Sequence, residues 1–118
     1  HVYGPPATVE KGVRVLNAYY RDILNIPSGT IVEASGISRQ NRVCAQDMMT
    51  VLERFAPYSK LMRHSDRQYY KTGHLKGIRS RVGYLSSVRG DPYRFVVMIN
   101  TPGKSTHGIM RTIERYLK

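Results

Sequence analysis

Residues 68–85 read QYYKTGHLKGIRSRVGYL, and this stretch decides the fold. Gln68 to Gly73 has the composition of an extended segment, rich in tyrosine and threonine. Further on, Ile78, Val82, Tyr84 and Val88 alternate with Arg79, Arg81 and Ser87. That period of two predicts a half-buried strand with the apolar set turned inward. Arg89-Gly90-Asp91-Pro92 then reads as a turn. Beyond it, Tyr93 to Ile99 is almost continuously apolar through Phe95, Val96, Val97, Met98 and Ile99, as expected of a central strand covered on both faces. Consecutive strands joined by tight turns pair as neighbours, so the sheet is antiparallel.

Helices flank this sheet on both sides in sequence. Upstream, Thr8 is placed to cap a helix in which Val9, Val13, Leu16, Tyr20 and Leu24 recur at helical spacing, ending before Pro27. Thr30 to Ala34 reads as a short β-branched strand, and Ser35 to Arg42 as a polar loop. A second helix is expected from about Ala45 to Ala56, with Met48, Met49, Leu52 and Phe55 inward and Pro57 as its stop. Tyr58 to Arg67 has no clear period. Downstream, Asn100-Thr101-Pro102-Gly103 breaks the chain, and Ser105 or Thr106 opens a last helix with Ile109, Ile113, Tyr116 and Leu117 inward. The expected class is α+β: an antiparallel sheet of three to four strands flanked by helices, residues 1–118 forming one domain or a fragment of one.

Composition narrows the function classes. The 118 residues carry a formal net charge of +11, which favours anionic partners. The arginines, from Arg14 and Arg21 through Arg63, Arg79 and Arg81 to Arg111 and Arg115, are spread over the whole length and read first as a solvated basic surface. Cys44 is the sole cysteine, so no internal disulfide forms. His1, His64, His74 and His107 lie far apart, and neither a metal site nor a cofactor is expected. No apolar run approaches the roughly 20 residues a membrane span needs. The chain opens on His1 with no charged-then-apolar leader, and reads as a soluble piece of something longer.

Lys71-Thr72-Gly73 is the motif with chemistry in it. An ammonium on a strand supplies positive charge beside a nucleophile and a substrate carboxylate. The Thr72 hydroxyl can donate to that carboxylate, Gly73 admits a close substrate backbone, and a strand edge can pair with an extended peptide. Lys-Thr-Gly on a strand is one of three motifs of serine β-lactamases and penicillin-binding proteins. The run from Tyr70 to Ser80, followed by Val82-Gly83-Tyr84-Leu85, resembles the third-motif region of the D-alanyl-D-alanine carboxypeptidase/endopeptidase family of low-molecular-mass penicillin-binding proteins. Glu33-Ala34-Ser35-Gly36-Ile37-Ser38-Arg39-Gln40-Asn41-Arg42-Val43 is similar to that family's Gly-Ser-Gly-Leu-Ser-Arg-x-Asn segment. Gly4 to Thr8 and the Phe95–Asn100 strand also stand in the family's order.

The resemblance implies the C-terminal part of a transpeptidase-like domain. Lys71 would be a catalytic-site cation, and Thr72, Gly73 and His74 would bind substrate, with no cofactor. The partners implied are a peptidoglycan stem peptide and β-lactams, and the location is the periplasm or the cell exterior. Two departures stand out. No serine of the chain has Lys three residues on, and none begins Ser-x-Asn, so the nucleophile and second motif of the family are missing. Ser65-Asp66-Arg67 comes nearest and reads as a polar loop, and Ser35 and Ser38 read as turn formers. His74 stands where the family has a hydroxyl residue, and the stretch between Ala56 and Lys71 is shorter than the family's. On this reading the chain alone is inactive, and exposed apolar surface would favour self-association. The alternative is a non-catalytic basic module binding an anionic polymer, a cell-wall polymer in preference to nucleic acid, since no aromatic stacking platform appears.

Overall fold

The computed structural model describes residues 3–117, which form two compact units, the first ending at Thr50 and the second beginning at Val51.

In the first unit, helix α1 (Val9–Ala18) starts where the Thr8 side chain accepts a hydrogen bond from the Lys11 amide at 3.2 Å. It continues directly into a π-helical turn, Tyr19–Ile23, so the single helix expected up to Pro27 changes its winding half-way. None of its residues is fully buried; Val9 is exposed. The Asn17 amide donates to Val13 O at 2.9 Å and Ile31 O at 2.8 Å, tying the helix to the segment after it. That segment, Thr30 to Ala34, is not a strand. Its only ladder contact among the described residues is an isolated bridge between Thr30 and Arg42, each amide donating to the other's carbonyl at 2.8 Å. β-Branched composition alone does not make a strand where no second extended segment lies alongside.

Helix α2 (Ala45–Phe55) begins in the first unit and ends in the second. Leu52 is fully buried, and Met48, Met49 and Phe55 are half-buried. Pro57 ends the α-helix, and the chain runs on as a 3₁₀ segment, Ala56–Leu61, because proline is tolerated in a first helical turn.

The second unit is a four-stranded antiparallel sheet in sequence order: β1 (Arg63–Ser65), β2 (Gln68–Leu75), β3 (Ile78–Ser86) and β4 (Pro92–Ile99). Strand β1 arises in the stretch without clear period; three residues are too few to show alternation. Ser65-Asp66-Arg67 turns it into β2, with Asp66 at φ 50°, a conformation aspartate tolerates. Gly77 at φ 75° closes the β2–β3 hairpin, and Ser87 closes the next turn, its amide donating to Asp91 O at 2.8 Å.

Two expectations about the strands are corrected. Among the described residues β4 is an edge strand and not a central one, and only one of its faces is deeply buried, at Phe95 and Val97. On β3 the most buried positions are Gly83 and Leu85, which share a face with Arg79 and Arg81, whereas Ile78, Val82 and Tyr84 are half-buried on the other face. Val88 lies beyond the strand and is exposed.

Tyr70, Leu85, Phe95 and Val97 form the core of this unit together with Met110 of helix α3 (His107–Tyr116). Ile99, Ile113 and Leu117 pack around them. The α3 apolar stripe is thus centred on Met110 and Ile113, while Ile109 and Tyr116, expected inward, are exposed. Thr106 holds the N-cap position and is buried, but its side chain makes no capping bond. On the opposite face of the sheet the Tyr84 hydroxyl donates to Leu52 O at 2.5 Å, anchoring the end of α2.

Candidate functional site

Strand geometry sorts the four singled-out residues before any chemistry does. Side chains alternate along β2, and cross-strand partners share a face. The register pairs Lys71 with Val82, Thr72 with Arg81, Gly73 with Ser80 and His74 with Arg79. One face therefore carries Lys71, Gly73 and Ser80, and the other carries Tyr70, Thr72, His74, Arg79 and Arg81, the face on which the core lies. Lys71 and His74 belong to opposite faces, so the four residues are brought to one strand but not to one point.

On the first face, Lys71 is exposed and its ammonium donates to the Thr72 carbonyl at 2.8 Å. Gly73 lies close to Ser80: a methyl group added at Gly73 would run into the Ser80 hydroxyl while standing 3.8 Å from its Cβ. Glycine is thus what lets the Ser80 hydroxyl occupy that spot.

On the second face, the absence of a side chain at Gly83, cross-strand from Tyr70, lets the two backbones come close. A methyl there would lie 2.8 Å from Tyr70 Cα, against the Tyr69 carbonyl. The Arg81 guanidinium lies over the Tyr70 ring, 3.7 Å from its centroid, and that of Arg63 is 5.8 Å from the same centroid. Arg79 is occupied differently, donating to the carbonyls of Leu75 at 3.1 Å and Ile78 at 3.0 Å, which braces the hairpin. Arg81 and Tyr70 escaped the sequence reading, which set the arginines of β3 outward as solvated charges. A signal was available: a two-residue turn at Lys76-Gly77 fixes Thr72 opposite Arg81 by counting.

The edge of β2 is open where the motif sits. Strand β1 reaches only Gln68, Tyr69 and Tyr70, so no strand among the described residues pairs with the outer edge of Lys71–Leu75. Alternate N–H and C=O groups of such an edge face outward and form a template for an extended peptide.

In the first unit, Glu33 organises the Ser35–Arg42 loop. Its carboxylate accepts from the Ser35 amide at 2.6 Å, the Ser35 hydroxyl, the Ser38 amide at 2.9 Å and Asn41 Nδ2 at 2.8 Å. Asn41 Oδ1 in turn accepts from the Val32 amide at 2.8 Å. The Ser35 hydroxyl above all, with the amides and Asn41, holds the Glu33 carboxyl down at about 2. Ser35 and Ser38 are loop staples in this arrangement. Nearby, the Ser28 hydroxyl donates to buried Asp47 at 2.7 Å, which with the Cys44 contact keeps that carboxyl low. Burial, and then the charges of Asp47 and Cys44, push the Tyr20 phenol up to about 12. Among the described residues no group of three or more His, Cys, Asp and Glu is placed to hold a metal ion, and no helix is long and apolar enough to cross a membrane.

The fold, a small antiparallel sheet with helices packed on it, is shared with a solved penicillin-binding protein. The chain superposes on penicillin-binding protein 4 of Haemophilus influenzae, solved in complex with a β-lactam, with a TM-score of 0.72 and 20% identity. The superposition covers 98% of this chain and 34% of that one, so the chain spans about a third of the length of its structural neighbour. No protein-family model matches the sequence, and no curated protein matches it significantly.

Proposed function

We propose that this chain is part of a serine-type D-Ala-D-Ala carboxypeptidase or endopeptidase acting on peptidoglycan stem peptides, and that it supplies the peptide-binding edge and the motif lysine, not the nucleophile. The observation that carries the reading is the open Lys71–Leu75 edge of β2, in a fold shared with a penicillin-binding protein. An extended stem peptide adds to that edge by main-chain hydrogen bonds. Lys71 sits on the face away from Thr72 and lends positive charge to an acyl-transfer centre whose serine and partner lysine come from outside these residues. Periplasm or cell exterior is the matching location.

The test is binding of N-acetyl-L-Lys-D-Ala-D-Ala to the 118-residue chain, followed by amide chemical shifts, alongside its all-L counterpart. The reading expects weak, stereospecific binding that moves the amides of Lys71–Leu75 and changes little with salt. It also expects no covalent adduct by intact mass after incubation with a penicillin, and weaker binding in Lys71→Ala. Binding that ignores stereochemistry but falls about 10³-fold or more over a modest salt increase, in favour of a polyphosphate, would sink it and establish the anionic-polymer alternative that the +11 charge allows.

A further inference from the structure

The positive charge of the chain is neither evenly shared nor evenly mixed. Residues 51–118 hold fourteen of its nineteen lysines and arginines but four of its eight acids, so +10 of the formal +11 belongs to the second unit. All four acids stand towards one end of the sheet. Asp66 and Asp91 lie in the β1–β2 and β3–β4 turns, and Glu114 accepts from the Gln68 side chain at the start of β2. Glu53 pairs with Arg94 at 3.6 Å, and Arg94 is cross-strand from Tyr84 in that same half. The other end has no acid: none occurs from Lys71 to Gly90 or from Pro92 to Ile113 except Asp91 between them. There the β2–β3 tip meets the loop after β4, so close that a methyl added at Gly77 would stand 3.4 Å from Pro102 Cγ. Lys76 on the tip and Lys104 in the loop are exposed, and His74 and Arg79 face each other just inside the tip. Helix α3 starts at this end with exposed His107, followed one turn on by exposed Arg111. It finishes at the acidic end, where Leu117 O accepts from the Val88 amide at 3.3 Å. A merely solvated surface intersperses both signs. Like charges gathered at one end of a sheet instead raise a local potential that an anion lowers.

We infer that this acid-free end, built from the β2–β3 tip, the loop after β4 and the first turns of α3, binds a linear polymer of phosphate groups. The site is separate from the open edge of β2 and does not depend on the peptide reading. Three features select the ligand. Residues 71–83 and 100–115 hold no Phe, Tyr or Trp, so there is no platform on which bases stack. Ile109 is the one large apolar side chain counted as exposed among these residues, too little for an apolar face that enters a bilayer. What is offered is a set of positive charges on a convex surface, led by the flexible ammonium groups of Lys76 and Lys104, and phosphates accept such point charges without demanding fixed geometry.

The experiment is a titration of the 118-residue chain with long-chain inorganic polyphosphate over a series of salt concentrations, with oligothymidylate and phosphatidylglycerol vesicles as parallel probes. Backbone amide shifts report the place of binding. Polyphosphate is expected to move the amides of Lys76, Gly77, Gly103 and Lys104 first, and to bind more tightly than either other probe. In Lys76→Gln/Lys104→Gln/Arg111→Gln its affinity should fall about tenfold or more at low salt, and the slope of log affinity against log salt should shrink by about 3. Arg54→Gln/Lys60→Gln/Arg89→Gln removes the same charge from exposed positions outside this end and should leave that slope unchanged. Equal losses in the two triple variants, or wild-type shifts scattered over the whole surface, would mean that net charge alone is at work and would overturn the site. Tighter binding of oligothymidylate or of the vesicles would overturn the phosphate polymer as its ligand. No binding of polyphosphate at low salt would overturn both. None of these outcomes touches the peptide edge, which is read by stereospecific shifts along Lys71–Leu75.

Discussion

Two glycines in β2 and β3 should respond very differently to one added methyl group. At Gly83 the methyl meets backbone, 2.8 Å from Tyr70 Cα and 3.0 Å from the Tyr69 carbonyl carbon. Ordinary contact between such atoms is about 3.5–4.0 Å, so the strands must part by roughly an ångström at their closest point. Backbone in the middle of a ladder cannot turn aside as a side chain does, and the tear falls beside Tyr70 and Leu85 in the core. Overpacking of this kind costs about 1–3 kcal/mol in a well-packed core, and Gly83→Ala belongs at or beyond the upper end. At Gly73 the methyl meets only the Ser80 hydroxyl, which can rotate away. Gly73→Ala should therefore cost no more than a rotamer change, about 0.5–1.5 kcal/mol. In a Ser80→Ala background the nearest atom is the residue 80 Cβ at 3.8 Å, ordinary contact, and the penalty should vanish. The assay is urea unfolding of wild type, both single glycine variants, Ser80→Ala and the Gly73→Ala/Ser80→Ala double variant, read as a double-mutant cycle. Gly83→Ala within about 0.5 kcal/mol of wild type, or an unchanged Gly73→Ala penalty without the Ser80 hydroxyl, would refute the packing argument.

Other perturbations read out different parts of the molecule. Leu85 is fully buried in the Tyr70–Phe95–Val97–Met110 cluster, so Leu85→Ala should destabilise the chain by about 2–5 kcal/mol in denaturant melts; a loss below about 1 kcal/mol would mean this cluster is not the core. Glu33 has a folded-state carboxyl at about 2 against an ordinary 4.5, so its stabilising effect is complete above pH 4.5 and is lost as pH falls towards 2. Protection of the Ser35 and Ser38 amides relative to their intrinsic exchange rates should fall over that window in wild type, and Glu33→Gln should lack that protection at every pH. Tyr20 has its phenol raised to about 12, so stability tied to its neutral form holds below pH 10 and declines as pH rises from 10 through 12. An ultraviolet titration should lose its latest-ionising tyrosine in Tyr20→Phe, and an unchanged curve would contradict the burial of that ring.

What the sequence made legible follows from the physics of each segment. Strands β2, β3 and β4 were readable from the extended run Gln68 to Gly73, the alternation after Ile78 and the apolar run that follows the turn at Arg89 to Pro92. Helices α2 and α3 were readable from their periodicity. Strand β1 was not, since Arg63-His64-Ser65 holds no apolar residue and pairs through its backbone, the stacking of His64 on Tyr69 and the Arg63 guanidinium beside Tyr70. The side of β3 that would be buried was misread because arginine was counted as a solvent residue. Arg81 covers Tyr70 with its guanidinium and takes its place on the core face, while Val82 and Tyr84 are only half-buried on the other. The apolar run of β4 pointed to a central strand, yet hydropathy reports what a strand would like beside it, not what the chain provides. Lys71, Thr72 and Gly73 were located correctly on a strand, which the structure extends through His74 to Leu75; the division of these residues between two faces was implicit in the alternation and surfaced only with the register.

The close approach at Gly83 also bears on how this sequence can change over evolutionary time. A strand has a reading frame of two, and Gly83 is the notch that keys β3 to one setting of β2. Loss or gain of a single codon between Gln68 and Leu75 would exchange Lys71 with Thr72 across the sheet and bring a side chain onto the notch. Point substitutions at the exposed positions leave that frame intact. In a library of this gene, single-codon indels in β2 should be purged as thoroughly as core truncations, whereas length changes at the Lys76-Gly77 tip survive, so that the spacing between the motif and Gly83 outlasts the identity of the residues it spans.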